Sequence, residues 1–216
     1  MSSERASGLV LRTRTFTETS LIVHWLTDHA GRISTLAKGA LRAKSPFRGK
    51  LDLFYQADLS FSRSRRSDLH TLREVVVRET HPALRHDWGS LRRAAYGALL
   101  IEQVTESETP VEGLYRLLLQ FLVGLAAPSP GPALVLAFEF AVLEELGLGP
   151  DPARAGLSEG GAATLRSLAN GGLISANVLP FTPKRSAELE RLLGRVLRSH
   201  LGREPRGRAA ALAPPL

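Results

Sequence analysis

The feature that most constrains this 216-residue chain is a change of hydrophobic period at His81-Pro82. Upstream of that dipeptide, apolar residues come in short runs of alternating or β-prone character, broken by Gly, Asp and Ser. Downstream they recur every three or four residues. A strand turns every second side chain to one face and a helix shows a stripe at 3.6-residue spacing, so the two patterns cannot build one layer. The chain is therefore expected to be α+β in the order β then α, with the boundary near residue 80.

Five strands are predicted in the first part: Gly8 to Arg14, Ser20 to Thr27, Arg32 to Lys38, Phe54 to Phe61 and His70 to Arg78. Asp28-His29-Ala30-Gly31 reads as a hairpin turn in which Gly31 supplies a positive φ. Ser62 to Leu69 is a polar loop, and Gly39 to Lys50 joins the third and fourth strands. Five short strands with tight links suit a small closed barrel, of which the OB-fold is the five-stranded example.

In the second part, Leu84 to Glu106, Val111 to Ala126, Pro132 to Leu146, Ser158 to Ala169 and Ser186 to Leu201 read as helices. Pro132 sits at a favoured first-turn position, Ser158 is a plausible cap, and Gly147 stops the third helix. That helix is apolar on every face over Ala133 to Phe138, which predicts a central place in a bundle. The Glu residues of these helices are expected on solvent-facing positions. With Glu139, Glu144 and Glu145 inside it, the Pro132 to Leu148 stretch is too short and too charged to span a bilayer. The expected layout is thus 1–80 as a nucleic-acid-binding barrel, 81–205 as an α-helical bundle for partner and DNA binding, and 206–216 as a flexible tail.

Charge is segregated along the same lines. Residues 1–93 carry a net +8, residues 94–150 a net −6 with Arg116 their one cation, and residues 151–216 a net +5. The total of +7 and a pI near 10.5 point to a polyanionic partner, nucleic acid before an anionic membrane. There are no cysteines, which excludes disulfides, thiolate zinc sites, iron–sulfur clusters and cysteine nucleophiles. Six histidines form no HExxH or close ligand cluster, no GxSxG occurs, and Gly31 to Lys38 lacks the spacing of a phosphate loop. The expectation is a protein that is not an enzyme, has no cofactor, lacks a visible signal peptide and is cytoplasmic.

The strongest positive signal is Lys38 to Lys50, KGALRAKSPFRGK, directly after the third strand. Its five cations, Lys38, Arg42, Lys44, Arg48 and Lys50, can neutralise phosphates and release condensed counterions without reading sequence. Phe47 is either a stacking face for a base or a hydrophobic plug for the barrel. Arg12 and Arg14 on the first strand, and Arg63, Arg65 and Arg66 in the fourth loop, form a second tier. Arg85, Arg92 and Arg93 would extend the track onto the first helix.

Ser7 to Phe54 closely resembles the opening of bacterial RecO proteins, which begin G-x-V-L-x-x-R-x-x-x-E, continue through a glycine hairpin and reach V-A-K-G-A-R-R-x-K-S-R-F-x-G. Here the last motif reads Leu36 to Gly49, LAKGALRAKSPFRG. Phe138 to Gly147, FEFAVLEELG, resembles the family's F-E-L-x-L-L-x-x-L-G helix, and His200 to Pro205 is similar to its C-terminal H-L-G-x-x-P. Two departures stand out. Many relatives carry two CxxC pairs after the L-G helix, where this chain has Gly149 to Ser158 and no Cys, so zinc is not implied. Pro46 stands where the family often has Arg, which removes one cation from the loop.

The resemblance implies a DNA repair and recombination mediator associated with the nucleoid. Such a protein binds single- and double-stranded DNA, anneals complementary strands and, with RecR, loads RecA on DNA coated by SSB. It also implies that the helical domain takes the SSB C-terminal tail, for which Arg116, Arg166, Arg191, Arg195 and Arg198 are the candidate cations. An RNA-binding or ribosome-associated OB-fold protein is the competing reading, since a basic barrel alone does not separate DNA from RNA. A nuclease would need clustered carboxylates, and the basic segment has none close together in sequence.

Overall fold

Alternation in the first eighty residues becomes five strands in a computed structural model that describes residues 3–127, 130–176 and 182–213. They are β1 (Ser3–Thr17), β2 (Ser20–Thr27), β3 (Arg32–Ala37), β4 (Gln56–Ser62) and β5 (Leu69–Glu79). They close into a barrel in the order β1-β2-β3-β5-β4, the OB-fold arrangement. Every neighbouring pair is antiparallel except β3 and β5, which run parallel through Ser34↔Leu69, Thr35↔His70 and Leu36↔Thr71. β1 is longer than the β-prone run Gly8 to Arg14 because both its ends find partners. Ser3 to Leu9 pair with β4, and Gly8 to Thr17 pair with β2.

The inward residues, among them Val10, Trp25, Ile33, Leu59, Phe61 and Val75, form the barrel core. Trp25 is fully buried, and its indole N–H donates to Thr35 Oγ1 at 2.9 Å, so the ring is packed without leaving a donor unmet. Gly31 does take a positive φ, of 69°. A second constraint acts there as well: a Cβ would lie 2.1 Å from the carbonyl oxygen of Thr109.

That approach reflects how the chain divides. Residues 1–81 together with 105–115 form one compact unit, and residues 82–104 with 116–216 form the other. The 105–115 segment falls inside the stretch expected to belong to the helical domain. It packs on the barrel because its backbone bonds there. Arg32 donates to Thr105 Oγ1 and to the Thr105 carbonyl, both at 2.8 Å, and the Glu108 N–H donates to the Arg32 carbonyl at 2.8 Å.

After a 3₁₀ turn at Pro82–Arg85 come α1 (Trp88–Val104), α2 (Glu112–Leu125), α3 (Pro132–Glu145), α4 (Glu159–Ser175), α5 (Pro183–Leu201) and α6 (Arg208–Leu212). Ser158 caps α4 by accepting from the Gly161 N–H at 3.2 Å. α4 runs past the expected Ala169, through a kink at Gly172 where φ is 61°. None of the described helices is long and apolar enough to cross a membrane. α3 is central, as its apolar character predicts: every residue from Leu134 to Phe140 is buried, and Phe138 stacks on Phe121 at 4.2 Å between ring centroids.

Two expectations fail together at α3. The acidic side chains were expected to face solvent, and Glu144 and Glu145 do, but Glu139 is fully buried. The C-terminal segment from residue 206 was expected to be a flexible tail, yet Arg208 opens α6 and is only 5% exposed. The reason is one interaction. Arg208 donates twice to the Glu139 carboxylate, at 2.8 and 2.9 Å, and Tyr96 donates to the same carboxylate at 2.5 Å. Arg208 also reaches the Glu190 carbonyl at 2.8 Å. Burial alone would lower the Arg208 pKa, but the bonds and charge of Glu139 more than reverse this, so the guanidinium stays charged.

An ion pair this deep costs desolvation, and removing one partner strands the other. Arg208→Ala is therefore expected to lower the stability of the helical unit by about 3–5 kcal/mol, read by urea denaturation. The paired replacement Glu139→Leu with Arg208→Met should recover most of that loss, because no buried charge remains. A double variant as unstable as the single one would show that packing, not charge, sets the cost.

Candidate nucleic-acid interface

The link between β3 and β4, residues 38–55, crosses one end of the barrel as a chain of tight turns. Arg42 N bonds to Gly39 O, Ser45 N to Arg42 O, Arg48 N to Ser45 O and Lys50 N to Phe47 O, at 3.0 to 3.2 Å. Ala40 and Phe47 turn inward and join the barrel core, so Phe47 acts as the plug of the two roles its sequence context left open. With those anchors in place Lys38, Arg42, Lys44 and Arg48 are exposed and Lys50 is half-buried. One N–H of Arg48 is held by the Ala43 carbonyl at 3.1 Å.

The loop is tied to the β1–β2 turn. The Leu41 N–H donates to Thr19 O at 2.9 Å, and the Gly39 N–H donates to Ser20 Oγ at 3.2 Å. This joins the loop cations to the end of β1 that carries Arg12 and Arg14, both exposed. Phe16, 52% exposed, follows them at the same two-residue spacing, and Leu41, equally exposed, stands in the loop. Neither was a candidate from sequence. The Arg12-x-Arg14-x-Phe16 alternation would have pointed to Phe16, while nothing in sequence distinguishes Leu41 from an ordinary core residue.

A histidine registers the field in this region. His24 lies opposite Arg12 in the β1–β2 ladder, and its Nδ1 is 2.9 Å from Ser34 Oγ. Burial, and then the charges of Arg12, Arg14 and Arg32, push its pKa down to about 4. Burial is the larger cause; the smaller, coulombic part comes from cations whose potential also attracts phosphate.

The other candidate cations are placed differently. Ser3 pairs with Ser62, so the loop holding Arg63, Arg65 and Arg66 sits at the opposite end of β1 from the β3–β4 loop. Arg65 and Arg66 are exposed. Arg63 is occupied: it bonds Glu4 at 2.6 and 3.1 Å and Glu108 at 2.5 Å, and those carboxylates raise its pKa. Beside it His70, buried and stacked on Phe61, turns Nε2 toward Glu108 Oε1 at 3.2 Å. In the helical unit Arg93 is 1% exposed and Arg92 half-buried, and both donate to the Ala213 carbonyl. Arg85 is exposed.

Among the proposed partner cations, all five are exposed. Arg198 is paired with Glu204 at 2.6 Å, and Arg191 donates to the Ala187 carbonyl at 3.0 Å. An apolar cavity of about 380 Å³ opens between α2, α3 and α4, lined by Leu119, Val123, Gly124, Leu134 and Leu173 among others. Arg116 lies one turn before Gln120, another lining residue, on α2, and Arg166 two turns before Leu173 on α4. The α5 arginines are on none of the lining helices. Among the described residues no group of three or more His, Asp or Glu side chains is placed to hold a metal ion.

Residues 1–81 match the family profile Recombination protein O N terminal, and residues 85–153 match Recombination protein O C terminal. The chain is 30% identical to the DNA repair protein RecO of Anaeromyxobacter dehalogenans strain 2CP-1, over 94% of this chain and 93% of that protein. It is 32% identical to the protein of that name from Rhodopirellula baltica, over 80% of this chain and 66% of the relative. For the Haemophilus influenzae protein the identity is 34%, over 70% and 62%.

The depressed pKa of His24 has a measurable consequence. The unfolded chain takes up this proton near pH 6.5 and the folded chain only near pH 4, so His24 destabilises the fold progressively as pH falls between those values. His24→Gln is expected to flatten the decline of stability over that window relative to the parent protein. Parallel pH profiles in urea denaturation would contradict the assignment.

Proposed function

Because the chain belongs to the recombination protein O (RecO) family of DNA repair proteins, we propose that it is a non-catalytic mediator that binds single- and double-stranded DNA and anneals complementary strands. The observation that carries this reading is the β3–β4 loop: Phe47 and Ala40 are sunk in the barrel and hold four exposed cations outward. Lys38, Arg42, Lys44, Arg48 and Lys50 take phosphates, and Arg12 and Arg14 continue the path along β1. Contacts of this kind give affinity with little sequence preference. Arg65 and Arg66, at the far end of β1, form a second cationic place. Annealing brings two polyanions together, and cations at both ends of one strand lower the repulsion between them.

In this reading the protein works with RecR to load RecA on single-stranded DNA coated by SSB, and so is found with the nucleoid. The helical unit takes the acidic, apolar C-terminal tail of SSB. A short tail ending in a carboxylate needs an apolar slot and a cation beside it. The cavity between α2, α3 and α4 supports this, and of the five candidate cations Arg116 and Arg166 are the ones carried by its lining helices. Arg191, Arg195 and Arg198 are secondary candidates.

Two measurements test the proposal. Fluorescence anisotropy with single-stranded DNA should show affinity falling steeply with salt. Arg42→Ala, Lys44→Ala and Arg48→Ala combined should reduce the slope of log K against log salt by about 2, with the melting temperature retained. A salt-independent affinity would sink the DNA reading. Separately, Val123→Glu in the full chain should weaken binding of a labelled SSB tail peptide at least tenfold while leaving DNA affinity as it was. An unchanged peptide affinity would move the partner site elsewhere.

A further inference from the structure

The stretch from Lys38 to Lys50 offers no aromatic face to solvent, because Phe47, its one aromatic, is sunk in the barrel core. Such a face stands instead near the end of β1. Phe16 is 52% exposed, whereas Phe54, Phe61, Phe121, Phe138 and Phe140 are all buried. The strand ladder accounts for the difference. Thr13 and Thr15 pair with Val23 and Leu21, which pack in the barrel, so Arg12 and Arg14 lie on its outer face. The register then shifts between Thr15 and Thr17, since Thr17 pairs with Ser20. Phe16 is the residue left unpaired in that shift, and a bulge of this kind re-aims a side chain out of the regular ladder.

Leu41 brings a second apolar side chain to this end of the barrel. Its N–H donates to Thr19 O at 2.9 Å, which ties it to the turn that follows β1, and it is as exposed as Phe16. The charges nearby are almost all of one sign. Residues 12–20 and 38–50, which carry the two apolar groups, hold seven Lys or Arg and one carboxylate, Glu18. An apolar pair set among cations suits a ligand that is anionic along one edge and flat and apolar along the other. An unpaired nucleic-acid strand is such a ligand, whereas a duplex keeps its base faces covered by their neighbours.

We infer that Phe16 stacks on an unpaired base of single-stranded DNA whose phosphates lie on Arg14 and the loop cations, with Leu41 extending the apolar contact. The inference rests on the DNA-binding reading and adds to it a residue that tells single strands from duplex. Side chains two apart on one face of a strand lie about 6.8 Å from each other, close to the phosphate repeat of an extended single strand. Arg12 and Arg14 can therefore serve successive phosphates while Phe16, two residues on, meets a base. Every base has a π face, so this contact selects strandedness and not sequence. The cations give affinity for either form of DNA, and the ring adds a term that only the unpaired form can collect.

The test compares the full chain with Phe16→Ala on three ligands by fluorescence anisotropy: a twenty-nucleotide oligothymidylate, a duplex of that length, and a sugar-phosphate strand of that length lacking every base. Phe16→Ala should weaken oligothymidylate binding about tenfold and leave the duplex and the abasic strand bound as before, with the salt slope unchanged. Phe16→Tyr should bind oligothymidylate like the parent chain, while Phe16→Leu, which keeps apolar bulk without a ring, should not. Leu41→Ser should give a smaller loss of the same pattern. Equal losses on all three ligands would show that Phe16 acts through the shape of the strand end and would overturn the stacking contact. Oligothymidylate affinity untouched by Phe16→Ala would overturn it also. Capture of the parent chain by phosphatidylglycerol vesicles, abolished by Phe16→Ala while DNA affinity stays, would assign the patch to a membrane surface instead. A parent chain that binds none of the three ligands would remove the DNA reading itself, which separates that failure from the failure of the stacking contact.

Discussion

Three residue pairs hold the barrel shut. β3 and β5 run parallel through Ser34, Thr35 and Leu36 against Leu69, His70 and Thr71, and without them the sheet would be open at that edge. Closure also dictates the course of the chain. β5 has to return alongside β3, so β4 intervenes on the other side and the β3–β4 link must travel across the barrel end. That path is long and exposed, and it puts a basic segment where a polymer can lie along it. Ala40 and Phe47 make the link a fixed surface: by entering the core they tie the conformation of the loop to the packing of Trp25, Phe61 and Val75.

The helical unit depends on a different interaction. α3 is so apolar that one carboxylate in its middle has to be satisfied or expelled, and Arg208 satisfies it from more than sixty residues away. This draws residues 208–213 onto the bundle, where the Ala213 carbonyl in turn accepts from Arg92 and Arg93. A bidentate guanidinium–carboxylate pair with a tyrosine hydroxyl added offsets much of the desolvation that either charge alone would suffer. The pair thus holds one arrangement of the chain end against looser alternatives.

Charge in this protein serves two ends that composition cannot separate. Arg32, Arg63, Arg93 and Arg208 are held by backbone carbonyls or carboxylates within their own units. Arg12, Arg14, Arg42 and Lys44 stand exposed. What distinguishes the sets is neighbouring structure. The Arg63 loop has Glu4 and Glu108 beside it, while the stretch from Lys38 to Lys50 contains no acidic residue.

Periodicity alone determined that five strands precede a helical bundle, that α3 is central, and that Gly31 turns a hairpin, because these depend on which side chains must leave water and on local backbone sterics. The basic loop, too, was legible from the density of cations between Lys38 and Lys50. Sequence could not assign Phe47, since an aromatic at a loop serves equally as plug or platform until the barrel end is closed around it. Nor could it reveal that Glu139 is buried, that Arg208 anchors the chain end, that residues 105–115 pack on the barrel or that Arg63 is occupied. Each of these joins groups 43 or more positions apart. A residue's chemistry is written in its side chain, but whether that chemistry meets water, a carboxylate or an apolar wall is decided by distant segments brought beside it.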